Sequence, residues 1–142
     1  MKKGVIFDMD GTVWDSSENV AKSWTVKVQE AGYTDKVITR EDIQRNMGKP
    51  MDAIADDLFT YTEKGPERDA LRYACEEYEN EYLRENGGII YDGVLDTWAT
   101  LKENGYHIYI VRDSDGCKAF TAFKGVLFDV GHFVRKIYGH KT

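Results

Sequence analysis

Val5-Ile6-Phe7-Asp8-Met9-Asp10-Gly11-Thr12-Val13-Trp14-Asp15-Ser16 decides the fold. An apolar run ends in two carboxylates separated by one residue, followed at once by glycine and threonine. The pattern predicts a strand from about Gly4 to Asp8. It delivers acidic groups to its carboxyl end, where open parallel sheets bind ligands. Residues two apart on a strand point the same way, so the spacing predicts that Asp8 and Asp10 face one site. Gly11 permits a sharp exit from the strand. Two carboxylates this close repel unless a cation or a proton lies between them. Magnesium, a hard cation that takes oxygen ligands, suits such a pair.

Composition sets the bounds around this stretch. The chain has 142 residues, enough for one domain with a core, or a core and a small insert. With 42% hydrophobic residues it reads as globular rather than disordered. No apolar run approaches the roughly 20 residues that span a bilayer, so no membrane is expected. The strand begins almost at the amino terminus, which predicts no leader segment and a cytoplasmic protein. Cys75 and Cys117 lack metal-ligand spacing and read as free thiols of a reducing compartment. A net charge of −6 argues against nucleic acid as a partner. It leaves room for a small anion, because a bound cation reverses the local field.

Between the opening strand and residue 86 the periodicity is helical. Asp15 and Glu18 stand at capping-box spacing, with Asp in place of the usual Ser or Thr, and predict a helix start. Val20, Trp24, Val28 and Ala31 follow as one apolar face, ending at Gly32. Trp24 reads as core. Thr39 is the expected cap of a second helix through about Asn46, broken by Met47-Gly48-Lys49-Pro50. A third runs from about Met51 to Phe59, with Ile54, Ala55 and Leu58 inward. Gly65-Pro66 opens the longest helix, with an apolar stripe of Leu71, Ala74, Cys75, Tyr78 and Tyr82. Glu76, Glu77, Glu79 and Glu81 form its expected solvated face, and Asn86-Gly87-Gly88 ends it. Ile89-Ile90-Tyr91 is extended, and Asp92-Gly93 turns into a helix from about Val94 to Asn104 carrying Leu95, Trp98 and Leu101. Tyr106 to Val111 reads as a strand buried on both faces of a parallel sheet. Strand, helix and strand then predict a right-handed crossover.

Asp8, Asp10, Gly11, Thr12, Asp15 and Ser16, preceded by their strand, resemble the first motif of the haloacid dehalogenase-like (HAD) hydrolases. The helical block between that motif and the later strand resembles the subgroup with an inserted helical cap, which includes phosphatases and phosphosugar mutases. Tyr91-Asp92-Gly93-Val94 and Leu101-Lys102-Glu103-Asn104-Gly105-Tyr106 look like its return from cap to core. The resemblance covers residues 1 to about 111. It implies an α/β fold, a Rossmann-like, largely parallel core of residues 1–15 and 87–142, with a helical cap of 16–86. It further implies a magnesium-dependent phosphoric monoester hydrolase acting on a small phosphorylated metabolite. Asp8 would attack phosphorus, and Asp10 would protonate the leaving alcohol and then take a proton from water. Asp8 and the main-chain carbonyl of Asp10 would ligate magnesium, with Gly11 and Thr12 at the phosphoryl group. Lys49, in a loop similar to the cap loop that selects substrates, would meet an anionic group. An ordinary helix-breaking turn with a solvated lysine is the competing reading.

The later motifs of the family depart from its pattern. A Ser or Thr is expected after Tyr109-Ile110-Val111, and Arg112 stands there; its guanidinium fork can grip phosphate, or Ser114 can substitute. Lys118, Lys124, Lys136 and Lys141 are candidates for the motif lysine, none in a distinctive context. Asp129, ending Gly125-Val126-Leu127-Phe128-Asp129, is the candidate late acid, and it has no second acidic neighbour. These departures support the alternative of a catalytically impaired, abbreviated HAD-like fragment. It would act as a binding protein completed by a partner, a homodimer being one form.

Overall fold

A computed structural model describes residues 3–112 and 126–129 of the chain. In chain order its elements are β1 (Lys3–Asp8), β2 (Trp14–Asp15), α1 (Ser17–Glu30), α2 (Arg40–Asn46), α3 (Met51–Leu58), α4 (Pro66–Asn86), β3 (Ile89–Ile90), α5 (Val94–Glu103), β4 (Tyr106–Arg112) and β5 (Val126–Asp129). They fall into two compact units, residues 1–15 with 89–142, and residues 16–88.

The first unit is α/β. β1 and β4 pair in parallel, from Lys3 opposite Tyr106 to Asp8 opposite Val111. β5 joins the far edge of β4 antiparallel, with Tyr109 opposite Asp129 and Arg112 opposite Val126. Alternation along the parallel pair sends Ile108 and Ile110 into a core with Met9, Val13, Trp14 and Trp98. Phe7 meets the Trp98 ring edge-on at 6.1 Å between centroids. Ile6 and His107, on the opposite face, are exposed. β4 is therefore not buried on both faces. Among the described residues α5 is the helix that packs on it, and one helix covers one face.

β3 does not belong to this sheet. It pairs antiparallel with β2, Trp14 opposite Ile90 and Asp15 opposite Ile89. The parallel partner across α5 is β1, so the expected strand–helix–strand crossover does not run from Ile89–Ile90 to β4. The same pairing moves the start of α1. Asp15 is held in a ladder, Ser16 takes the N-cap position, and no side chain caps the helix. The expected Asp15 capping box is absent for that reason.

The second unit is helical, and α1 against α4 is its main packing. Val20, Trp24 and Val28 are buried, as their spacing predicts, with Ile38, Ile43, Ala55, Leu58, Phe59, Leu71, Cys75 and Leu83. Ala31 is exposed, because it falls at the C-cap beyond the last turn. The Trp24 ring stacks on Phe59 at 5.8 Å between centroids. Its indole N–H donates to Glu79 at 2.8 Å, which draws Glu79 out of the solvated acidic face. Burial pushes the Cys75 thiol up to about 12, so it packs as a small apolar group. Arg68, 8% exposed, donates to the Thr62 hydroxyl, the Thr62 carbonyl and Asp56, and so ties α4 to the turn before it. No helix of the described residues is long and apolar enough to cross a membrane.

The α2–α3 junction is polar and closely tied. Thr39 and Asp42 form a reciprocal capping box at the start of α2. Asn46, 1% exposed, donates to the Asp42 carbonyl at 2.8 Å and to Asp57 at 2.6 Å. Arg45 bridges Asp42 and Asp57. Gly48 takes a φ of 81°, and Pro50 caps α3. The bonds from Asn46, and then from Arg45, hold the Asp57 carboxyl below its usual range.

Three stability outcomes follow. Phe59→Ala removes a fully buried ring and lowers unfolding free energy by about 3–5 kcal/mol in urea titrations. Thr39→Ala removes the capping box at a cost of about 1 kcal/mol. A carboxyl whose folded pKa is depressed stabilises above its unfolded value and loses that contribution as pH falls through the folded one. Asp57→Asn should therefore flatten part of the decline in Tm below about pH 4, with little change in its slope at neutral pH.

Candidate active site

β1 stops at Asp8, because the next residues turn instead of pairing. The Met9 carbonyl accepts from the Val13 N–H at 2.9 Å and the Trp14 N–H at 3.2 Å, with a longer contact of 3.4 Å from Thr12. The Gly11 N–H returns the bond, donating to the Trp14 carbonyl at 3.0 Å. Gly11 has a φ of 77°, a conformation that side chains resist, so the turn needs glycine there. The result is a short closed loop fused to the strand's carboxyl end.

Asp8 is the last residue of β1 and is exposed. Asp10 does not continue the strand; it lies in the turn, in an isolated bridge with Trp14. The two-residue alternation therefore does not govern where Asp10 points. A side chain does: the indole N–H of Trp14 donates to Asp10 Oδ1 at 2.8 Å. Trp14 is 3% exposed, packed in the core with Met9, Val13 and Trp98, and its backbone pairs with Ile90. Asp10 is half-buried beside it. Nothing in residue spacing points to this tryptophan, since its position follows from the turn; its indole donor at an otherwise apolar strand position is the sole signal.

Gly11 and Thr12 are exposed, and their N–H groups face into the turn. Those two amides are therefore engaged within the turn. The parallel register places Arg112 one residue beyond Val111, the partner of Asp8, at the same end of the sheet. Asp129 sits elsewhere. β5 runs antiparallel and pairs Asp129 with Tyr109, level with Ile6 in the sheet, two residues short of Asp8. It does not end a parallel strand as the late acid of a HAD site would. Ser114, Lys118, Lys124, Lys136, Lys141 and Cys117 lie outside the described residues. Lys49, in the helical unit, is exposed, and its ammonium donates to Asn46 Oδ1 at 3.0 Å. The loop lysine is thus engaged at its ammonium tip by the last residue of α2.

Among the described residues no three His, Cys, Asp or Glu side chains cluster as metal ligands. Asp8 and Asp10 nonetheless supply hard oxygen donors at one strand end. Magnesium binds through one or two carboxylates and keeps water or substrate oxygens for the remainder. The donor chemistry of this end therefore fits the ion.

The sequence profile of the haloacid dehalogenase-like hydrolases matches residues 5–142. Pyrophosphatase PpaX of Listeria monocytogenes is 33% identical over 110 residues, covering 75% of this chain and 46% of the relative. Probable phosphatase IndB of Dickeya dadantii is 25% identical over 132 residues, covering 92% of this chain and 55% of that protein. A haloacid dehalogenase-like hydrolase structure from Bacteroides fragilis superposes with a TM-score of 0.58 at 26% identity, over 78% of this chain and 50% of that one. A Haemophilus somnus structure shares the fold at 21% identity, with a TM-score of 0.59 over 78% of this chain and 51% of that one. The chain spans about half the length of the curated relatives it matches. With its opening motif on a strand end and a family profile matched along almost its whole length, the chain belongs to the haloacid dehalogenase-like hydrolases.

Proposed function

We propose that this chain carries the nucleophile end of a magnesium-dependent phosphoric monoester hydrolase for small phosphorylated metabolites, working in the cytoplasm. The observation that carries the reading is the pairing of an exposed Asp8 at the end of β1 with an Asp10 held in the adjoining turn. Relatives named as a pyrophosphatase and a phosphatase support phosphate esters and anhydrides as the substrate class.

The chemistry follows from charge. A phosphoryl group repels an approaching carboxylate, so attack requires the negative charge to be offset. The Asp8 carboxylate and the main-chain carbonyl of Asp10 would hold magnesium, which when bound offsets charge on the phosphoryl oxygens. An Asp8 oxygen bonds to phosphorus as the bond to the leaving oxygen breaks, and Asp10 gives that oxygen a proton. Water then attacks the aspartyl-phosphate, Asp10 takes its proton, and Asp8 is released. Arg112 and the Thr12 hydroxyl would grip the phosphoryl group, with Ser114 a further candidate. Residues 16–86 would act as the cap, excluding bulk water and presenting Lys49 to an anionic part of the substrate.

A second reading has its own support. Arg112 replaces the expected hydroxyl residue, and the antiparallel course of β5 takes Asp129 away from the level of Asp8. Both favour a catalytically impaired HAD-like protein that a partner, or a second copy, completes. Light scattering distinguishes the two: an active monomer excludes this reading.

Phosphate release from phenyl phosphate with Mg²⁺ tests the first reading. Asp8→Asn should lower the rate by at least about a hundredfold, with circular dichroism unchanged. Equal rates for the two proteins would remove Asp8 as nucleophile. Chelation by EDTA should abolish release, and added Mg²⁺ should restore it.

A further inference from the structure

We propose that Trp14 is a positioning residue for Asp10: its buried indole holds one carboxyl oxygen in place and so fixes the orientation of the acid. The proposal rests on the phosphatase reading above and deepens it. The indole N–H lies 2.8 Å from Asp10 Oδ1. An indole donates and never accepts, so it can bind only an oxygen that presents a lone pair. Oδ1 stays anchored through both proton transfers, so the Asp10 carboxyl keeps one orientation.

The anchor is rigid for three reasons. The Trp14 ring is 3% exposed and packed among Met9, Val13 and Trp98. Its backbone is tied to Ile90 by the β2–β3 pair. Its N–H and carbonyl close the turn through Met9 and Gly11. Asp10 therefore hangs from a residue fixed on its ring and on its backbone. In the first step the bond between Asp8 and phosphorus forms as the ester P–O bond breaks, and the Asp10 carboxyl hydrogen passes to the leaving oxygen. In the second, water's oxygen bonds to phosphorus, the acyl P–O bond breaks, and water's hydrogen returns to the Asp10 carboxylate.

Trp14→Phe keeps a buried ring and removes the donor. With Mg²⁺, kcat/KM should fall about ten- to hundredfold for phenyl phosphate, whose leaving group needs a proton. It should fall much less for p-nitrophenyl phosphate, whose leaving group departs without one. KM should stay near its wild-type value. In an Asp10→Asn background the Trp14→Phe substitution should have no further effect on kcat/KM. An equal loss with both substrates, or an additive loss in the Asp10→Asn background, would mean a merely structural role and overturn the proposal. Wild-type activity that needs Asp8 and ignores Trp14→Phe overturns this inference and leaves the phosphatase reading standing. A wild-type protein that releases no phosphate from either ester overturns both. Should Trp14→Phe not fold, ¹H–¹⁵N spectra decide. The chain has three tryptophans, and Asp10→Ala should move one indole N–H resonance, that of Trp14, leaving those of Trp24 and Trp98 in place. An unmoved Trp14 signal rejects the bond and the proposal with it.

Discussion

A single carbonyl governs the business end of the α/β unit. Met9 O takes the N–H groups of Val13 and Trp14, with Thr12 at longer range. A carbonyl has two lone pairs, so the third contact is the weak one, and its 3.4 Å length agrees. This convergence ends β1 at Asp8, turns the chain back and buries Val13 and Trp14 beneath the strand end. Without it, Asp10 would follow strand alternation and Trp14 would have no reason to lie beside it. The same turn buries Met9, Val13 and Trp14 together, so the geometry of the acids and the packing of the core are one event. A turn that is part of the core has little freedom to open locally, because opening exposes apolar rings.

The parallel pairing of β1 and β4 supplies the second half of the arrangement. Parallel strands end at the same side of a sheet, so Asp8 and Arg112 come to one edge although 104 positions separate them in sequence. Antiparallel β5 does the opposite. Its residues run back down the sheet, and Asp129 finishes level with Ile6 instead of Asp8. Direction, rather than residue identity, separates a carboxylate that can serve this edge from one that cannot.

The element boundaries were legible because local chemistry sets them. Thr39, Gly48-Lys49-Pro50, Gly65-Pro66 and Gly87 act within a few residues of themselves, and α2, α3 and α4 begin and end where those residues stand. What depended on distant partners was not legible. Asp15 has the chemistry of a helix cap, yet Ile89, far along the chain, claims it for a ladder. Glu79 has the spacing of a solvated face, yet Trp24 draws it inward. A four-residue strand carries no sign of its direction, so nothing in Val126–Asp129 announced an antiparallel course. For the two acids, periodicity argued a shared face, but periodicity ends with the strand. Asp10 is placed by a turn and an indole, which alternation does not describe.

The choice of an indole as the anchor of Asp10 has its own physical sense. A lysine or arginine there would hold the carboxyl ionised by charge, and a group that must be protonated at one step and ionised at the next would lose its acid form. A serine or threonine hydroxyl both donates and accepts, so it could bind Asp10 in either protonation state and through either oxygen. A neutral, donor-only group on a large buried ring avoids both faults. It donates to the carboxylate without bringing a full countercharge. The ring adds apolar surface to the core that the turn already needs, so the residue that orients the acid is also one that keeps the turn closed.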